Sequence, residues 1–287
     1  MGHDPVQFTQ EFWDDRYRTA GRLWSGQPNP QLVAQTAGLV PGEALEAGCG
    51  EGADAIWLAR QGWTVTAVDV SAVALERAAG YAAAAGDEVA RRITWQREDL
   101  LSWDPGPERF DLVSAQYMHL PAGEIEALHR RLAAAVRPGG TLLVVGHHPD
   151  DLHANVGRTG SPDRFWSAQA IAASLEPGGW EVIVADAPGR SATDLDGRPV
   201  TVRDTVLRAA RRPGGTLLVV GHHPDDLHAN VGRVGTADRF WSAETIAASL
   251  DPGRWEVVVA DAPGRSATDL DGQPVTVRDT VLRARRI

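Results

Sequence analysis

From Pro41 onward short apolar runs alternate with stretches of helical periodicity, and this alternation restricts the architecture more than any other feature. "EALEAG", "TVTAVDV", "RRITWQ", "RFDLVSAQ" and "GTLLVVGH" read as strands. Between them, "GADAIWLARQG", "SAVALERAAGYAAAAG" and "AGEIEALHRRLAAAVRPG" read as helices. Strand alternating with helix predicts an α/β doubly wound sheet, its strands parallel and joined by right-handed crossovers. The uninterrupted "TLLVV" suits a strand buried on both faces. A polar loop follows, then a helix from about Ser167, then "WEVIVADA" and "PVTVRDTVLRA" with no helix between them. Those two are expected to pair antiparallel at one edge of the sheet. Upstream, Phe8, Phe12, Trp13 and Tyr17 fall at helical spacing, and Asn29 stands as a cap before a second helix starting near Pro30.

The chain then repeats itself. Residues 137–211 recur as 212–286 with 65 of 75 positions identical. "GTLLVVGHHPDDLHANVGR" therefore occurs twice, once from Gly140 and once from Gly215. Only one copy can complete a single sheet. The helix ending near Val136 runs through "RPGG" straight into the first copy, and short connections are the rule, so 137–211 is expected to do so. The expected organisation is an N-terminal helical lid over 1–40, a core over 41–211, and a surplus β-α-β-β module over 212–287. An apolar strand left in water is an association hazard, which makes 212–287 the expected route of any self-association. Its His222, His223 and Asp226 have no glycine loop beside them and are expected to be idle.

A formal charge of −10 and a pI near 5.3 disfavour a phosphate backbone as partner, so nucleic acid is not expected. No apolar run resembles a leader or a membrane span, and the expected location is cytoplasmic. Cys49 is the single cysteine, and it reads as a small packing residue rather than a nucleophile. All 28 basic residues are arginine, which excludes Schiff-base chemistry, a phosphate-loop lysine and Ser–Lys dyads.

The first predicted strand ends in "EAGCGEG". Gly48, Gly50 and Gly52 occupy the turn into a helix, where glycine lets backbone approach a ligand closely. Asp69 closes the second strand, 17 residues after Gly52, and can accept from both ribose hydroxyls. Two cofactors compete for this crevice. "GCGEGA" satisfies the dinucleotide pattern, which keeps an NAD-dependent oxidoreductase open. Glu46 suits a ligand bearing a positive charge and is unhelpful beside a pyrophosphate. A nucleotide-cofactor-binding protein without catalysis is the remaining alternative.

With "LEAGCGEG", "VTAVDVS", "REDLLSW", "FDLVSAQYMHLP" and "VRPGGTLLVV" in that order, residues from about 30 to 211 resemble the class I S-adenosylmethionine-dependent methyltransferases. "FWDDRY…WSGQPNPQL" resembles their small-molecule group related to the tellurite-resistance and thiopurine methyltransferases. The resemblance implies a Rossmann-like seven-stranded sheet of order 3-2-1-4-5-7-6 with an antiparallel last strand, S-adenosyl-L-methionine as cofactor, and a small-molecule methyl acceptor at S, N or O. It implies that Glu46, Gly48 and Gly50 meet the methionine part, that Asp69 holds the ribose, and that Gly52 and Val70 are cofactor-binding as well. Asp99 and Leu100 would contact the adenine, and Ala115 and Gln116 would lie near the ammonium. Asp99 could equally cap the "LLSW" turn.

Methyl transfer from a sulfonium is an in-line displacement, so alignment and exclusion of water are the protein's main tasks. A base is needed only if the acceptor must lose a proton, and His119 and His147 are candidates by position. Trp13, Tyr17, Trp24, Tyr117 and His148 are candidate substrate contacts. "VVGHHPDD" also resembles the motif of zinc-dependent sugar N-deacetylases, in which His148 and Asp151 would be ligands and Asp150 the base. Leu152 stands where that family continues with Glu, a distant third histidine is required, and the motif follows the fifth strand of a complete methyltransferase pattern. No metal site is therefore assigned.

Overall fold

The computed structural model describes residues 9–118, 120, 124–152, 154–156, 165–214, 216–226 and 241–286. The chain forms two compact units, Met1–Arg212 and Pro213–Ile287.

In the first unit the apolar runs become strands β1 (Glu43–Ala47), β2 (Thr64–Asp69), β3 (Ile93–Arg97), β4 (Phe110–Gln116) and β5 (Val136–His147). They align parallel in the order β3-β2-β1-β4-β5. Two further strands, β6 (Trp180–Asp186) and β8 (Pro199–Arg211), close the sheet, with β8 inserted antiparallel between β5 and β6. This is the expected order, with β8 in the seventh place. The sheet has eight strands rather than seven, because β7 (Gly189–Thr193) forms a hairpin with the first half of β8. The hairpin is made locally. Asp194 Oδ1 accepts from the amides of Asp196 (3.0 Å) and Arg198 (2.7 Å), and Gly197 supplies a φ of +80°.

The helices are α1 (Gln10–Thr19), α2 (Pro30–Thr36), α3 (Ala53–Arg60), α4 (Ala72–Ala85), α5 (Asp87–Arg91), α6 (Glu124–Ala135) and α7 (Ala168–Ala173). Caps fix where several of them start. Asn29 Oδ1 takes the Gln31 amide, Ser71 Oγ that of Ala74, and Ser167 Oγ that of Ala170. The pleat of the sheet divides the core in two. Leu142 and Val144 of β5 join α6 and α7 on one face, and Leu143 and Val145 join α2, α3 and α4 on the other. Both faces being covered explains why the central strands are apolar without alternation.

In the second unit β9 (Thr216–His222), β10 (Trp255–Asp261), β11 (Gly264–Thr268) and β12 (Pro274–Arg286) form a four-stranded sheet. β12 is its centre, antiparallel to the other three. Helix α8 (Ala243–Ser249) packs on β10 and β12, on the side of the buried Leu282 and Ala284.

Candidate active site

The carboxyl ends of β1, β2, β4 and β5 open into a cavity of about 760 Å³. After β1 the chain passes through Gly48, Gly50 and Gly52 at φ +68°, +52° and +81°, which disfavour any side chain. Space forbids one as well. A Cβ on Gly52 would come within 2.6 Å of the Trp95 ring, and one on Gly48 within 2.6 Å of Met118 Sδ. The loop is held open against Asp69, whose Oδ2 accepts from the Gly50 amide at 2.8 Å and whose Oδ1 accepts from the Ser71 amide at 2.9 Å. Burial raises the Asp69 carboxyl from its ordinary value, and these amides oppose the shift.

Glu46 lies at the floor, almost wholly buried, with its Oε2 lacking a hydrogen-bond partner among the described residues. Burial, then the charge of Asp54, push its carboxyl well above the ordinary value, while a hydrogen bond from Ser114 opposes them. Burial pushes Asp54 up to about 6, and its Oδ1 accepts from the Asn29 amide at 2.6 Å. The Asn29 side chain donates to Gln116 Oε1 at 2.8 Å, and Gln116 Nε2 donates to Ser114 Oγ at 2.7 Å. Two carboxyls thus stand close together in a polar network that lacks a cation among the described residues. A buried acceptor without a donor is costly, and a ligand bearing an ammonium group would satisfy it.

The N-terminal segment closes over this floor. Asp14 of α1 accepts from Ser71 Oγ at 2.6 Å, which ties the helix to the start of α4. The Tyr17 hydroxyl accepts from Trp24 Nε1 at 3.0 Å, and a Cβ on Gly50 would come within 2.9 Å of that hydroxyl. Buried Glu51 fastens the loop that follows α1. Its Oε2 accepts from the amides of Leu23 and Trp24 at 3.0 and 3.2 Å, and its Oε1 meets Arg77 at 3.2 Å.

At the far end, Tyr117 has a φ of +48°, an uncommon conformation for an aromatic residue. Its ring lies 4.8 Å from that of His147, which in turn lies 6.0 Å from that of Phe165. The Tyr117 phenol faces the charges of Asp204 and Arg190, and Arg190 Nε donates to Asp204 Oδ2 at 2.8 Å. Burial, then the Asp204 charge, raise the Tyr117 phenol.

Most of the residues expected from the sequence meet here. Glu46, Gly48, Gly50, Gly52, Asp69, Val70, Asp99, Leu100 and Gln116 line the cavity, as do Trp13, Tyr17, Trp24, Tyr117 and His147. Asp99 also caps its own turn, taking the Leu101 amide at 2.9 Å. Ala115 does not line the cavity: it is fully buried in the core, because its β4 position points the opposite way from Gln116. His148 does not line it either, and its Nδ1 accepts from the Asp150 amide at 3.3 Å at the start of a short 3-10 turn. His119 and Phe8 lie outside the described residues. Burial raises the Cys49 thiol, which keeps it protonated and unreactive. Within the duplicated motif, Asp151 Oδ2 takes the Arg203 amide at 2.7 Å and so ties the turn to β8. Asp226 and Arg278 repeat that bond in the second unit. Asp14, Glu51, Asp54, Arg190 and Asp204 escaped the sequence reading, and Asn29 was legible only as a cap.

Known proteins agree with this geometry. Residues 44–140 match the family model described as a methyltransferase domain. The chain is 32% identical over 147 residues to the 2-heptyl-1-hydroxyquinolin-4(1H)-one methyltransferase of Mycobacteroides abscessus, covering 47% of this chain and 63% of that protein. It therefore spans less than two thirds of that relative's length. It is 27% identical to probable thiol methyltransferase 2 of Arabidopsis thaliana, covering 60% of this chain and 74% of that one. A solved structure described under the conversion of a disulfide bond into a thioacetal group during echinomycin biosynthesis superposes with a TM-score of 0.56 at 25% identity, over 71% of this chain and 91% of that chain. TehB from Haemophilus influenzae shares the fold, with a TM-score of 0.51 at 15% identity over 71% of this chain and 66% of that one. With the matched segment, the strand order and the glycine loop in agreement, residues 44–140 carry a methyltransferase domain.

Proposed function

We propose that the protein transfers a methyl group from S-adenosyl-L-methionine to a small-molecule acceptor whose nucleophile is an oxygen or a sulfur. The observation that carries this reading is the two-ended cavity. One end is a glycine loop with two buried carboxyls, and the other is an aromatic chamber ending at Tyr117 and His147. When bound, S-adenosylmethionine supplies a sulfonium-activated methyl group. Glu46 with Gln116 and the loop amides would hold its methionine part, Asp69 its ribose, and Asp99 with Leu100 its adenine.

Trp13, Trp24 and Tyr117 then wall the remaining space with flat apolar surface. Such walls suit a compact, partly aromatic acceptor and exclude water from the line of displacement. His147 stands beside this space and can take a proton from a hydroxyl acceptor, while a thiolate needs no base. The names of two relatives, one acting on a hydroxyquinolinone and one on a thiol, fit an O or S nucleophile.

The test is incubation of the full chain with methyl-labelled S-adenosylmethionine and a panel of phenols, N-hydroxy heterocycles, thiols and amines. Label should move to hydroxyl or thiol members. Tight binding of S-adenosylmethionine without transfer to any member would make this a binding protein, and preferential binding of NAD would overturn the cofactor assignment.

A further inference from the structure

The repeat places the same strand in two settings. In the first unit, "TLLVV" of β5 is flanked by β4 and β8, and Leu143 and Val145 are essentially inaccessible. In the second unit, "TLLVV" of β9 pairs with β12 alone. Leu218 and Val220, the counterparts of Leu143 and Val145, are 62% and 64% exposed. A residue sequence built for the centre of a sheet therefore stands at an edge, and over 217–221 the backbone groups that face away from β12 pair with no other strand among the described residues.

Edge strands usually carry features that block further pairing. β3 ends in Arg97, β6 holds Glu181 and Asp186, and β10 holds Glu256 and Asp261. β9 holds neither an acid nor an arginine nor a proline from Thr216 to Gly221, and its pairing with β12 runs through seven residues without a shift in register. It is the unguarded edge among the described strands. Only β5 carries the same apolar sequence, and both its edges are taken by β4 and β8, which leaves β9 of a second copy as the match among the described strands.

We infer that β9 is a homodimerisation strand: β9 of one chain pairs antiparallel with β9 of a second copy, joining two four-stranded sheets into one of eight strands about a two-fold axis. Antiparallel pairing of identical strands is isologous, so it closes at two copies rather than propagating. Leu218 and Val220 of both chains then share one face and bury each other. The duplicated module thereby acquires an architectural role that needs no glycine loop.

Sedimentation equilibrium of the full chain tests this. A dimer is expected at micromolar concentration, and Val220→Lys should weaken it at least about tenfold by placing like charges across the axis. Val257→Lys, on the charged edge strand β10, should leave it unchanged. Because Cys49 is buried, single cysteines introduced at 217 to 221 report the geometry independently of dimer strength. Mild oxidation should cross-link the one position that lies on the two-fold axis and fail at its neighbours, because an antiparallel pair sets only that residue opposite its own copy. A chain that stays monomeric at every concentration overturns the inference. So does a dimer indifferent to Val220→Lys, or one whose cross-linking does not peak at a single position.

Discussion

The amide of Gly50 donates to Asp69 Oδ2 at 2.8 Å, so the carboxylate expected to hold the ribose also sets the shape of the glycine loop. Its other oxygen takes the Ser71 amide. Each oxygen retains lone-pair capacity for a hydroxyl. Asp69→Ala removes both the ligand contact and the brace. Cofactor affinity should fall by about 1.5–3 kcal/mol, roughly 10- to 150-fold. Isothermal titration checks it, and an affinity within twofold of wild type would remove Asp69 from the ribose site.

Asp54 and His129 make opposite contributions to stability over one pH range. Burial raises Asp54 from 3.8 to about 6 and lowers His129 from 6.5 to about 4. Asp54 is an acid with a raised folded value. Its contribution is full below about pH 4 and is lost as pH rises through 6. His129 is a base with a lowered folded value, so the folded state binds fewer protons and stability is lost as pH falls from 6.5 toward 4. Each effect is on the order of 3 kcal/mol and the two largely offset. Asp54→Asn removes one side of the balance. Its stability by urea denaturation should fall steeply as pH drops from 6.5 to 4, whereas the wild type should change far less. Equal slopes in the two proteins would refute the assignment.

The same carboxyls make cofactor binding pH-dependent. A cationic ligand favours ionised Glu46 and Asp54, whose protons must leave when it binds. Affinity for S-adenosylmethionine should rise with pH through about 6, and calorimetry in buffers of different ionisation enthalpy should register proton release. Proton uptake, or none, would count against Glu46 as the ammonium partner.

His147 packs against Tyr117 with ring centroids 4.8 Å apart. If it takes the acceptor's proton, His147→Gln should lower kcat for hydroxyl acceptors by about 10²–10⁴-fold while sparing thiols, which react as thiolates. Equal losses for both classes would reduce His147 to a wall of the chamber.

What the sequence made legible follows a physical division. The strand order and the glycine loop rest on local signals: apolar runs, helical periodicity, and glycines at a strand end. Glu46 and Asp69 could be found because they adjoin those signals. Asp54 stands two residues after Gly52 but within the helical run of α3, whose packing turns it to the cavity; Arg190 and Asp204 adjoin none of these signals and reach the cavity through the pairing of β7 with β8 and of β8 with β5. The β7 hairpin was readable in principle from Asp196-Gly197, but "GRSAT" is too short and polar to announce a strand. Ala115, whose side chain lies in the core, shows what such signals leave open. Adjacent strand residues face opposite sides, so a motif placing two neighbours at one site can have only one side chain there.

Glu51 supplies the last prediction. In the sequence it is only the residue between Gly50 and Gly52, yet it holds the lid loop to the glycine loop. One oxygen takes the amides of Leu23 and Trp24 and the other meets Arg77, whose second nitrogen reaches the Ala20 carbonyl at 2.9 Å. Removing the carboxylate strands two amides and a half-buried guanidinium together. Glu51→Ala should destabilise the first unit by about 2–4 kcal/mol. The loop should loosen before the sheet does, since it is anchored there and bordered by glycines. Arg22, which stacks over Tyr81 at 4.5 Å, lies within that loop and is a tryptic site. Cleavage after Arg22 should therefore accelerate in Glu51→Ala and slow again when S-adenosylmethionine is added. Mass spectrometry of the early fragments gives the answer. If the first cut falls elsewhere, or if the cofactor leaves the rate at Arg22 unchanged, Glu51 does not couple the lid to the glycine loop.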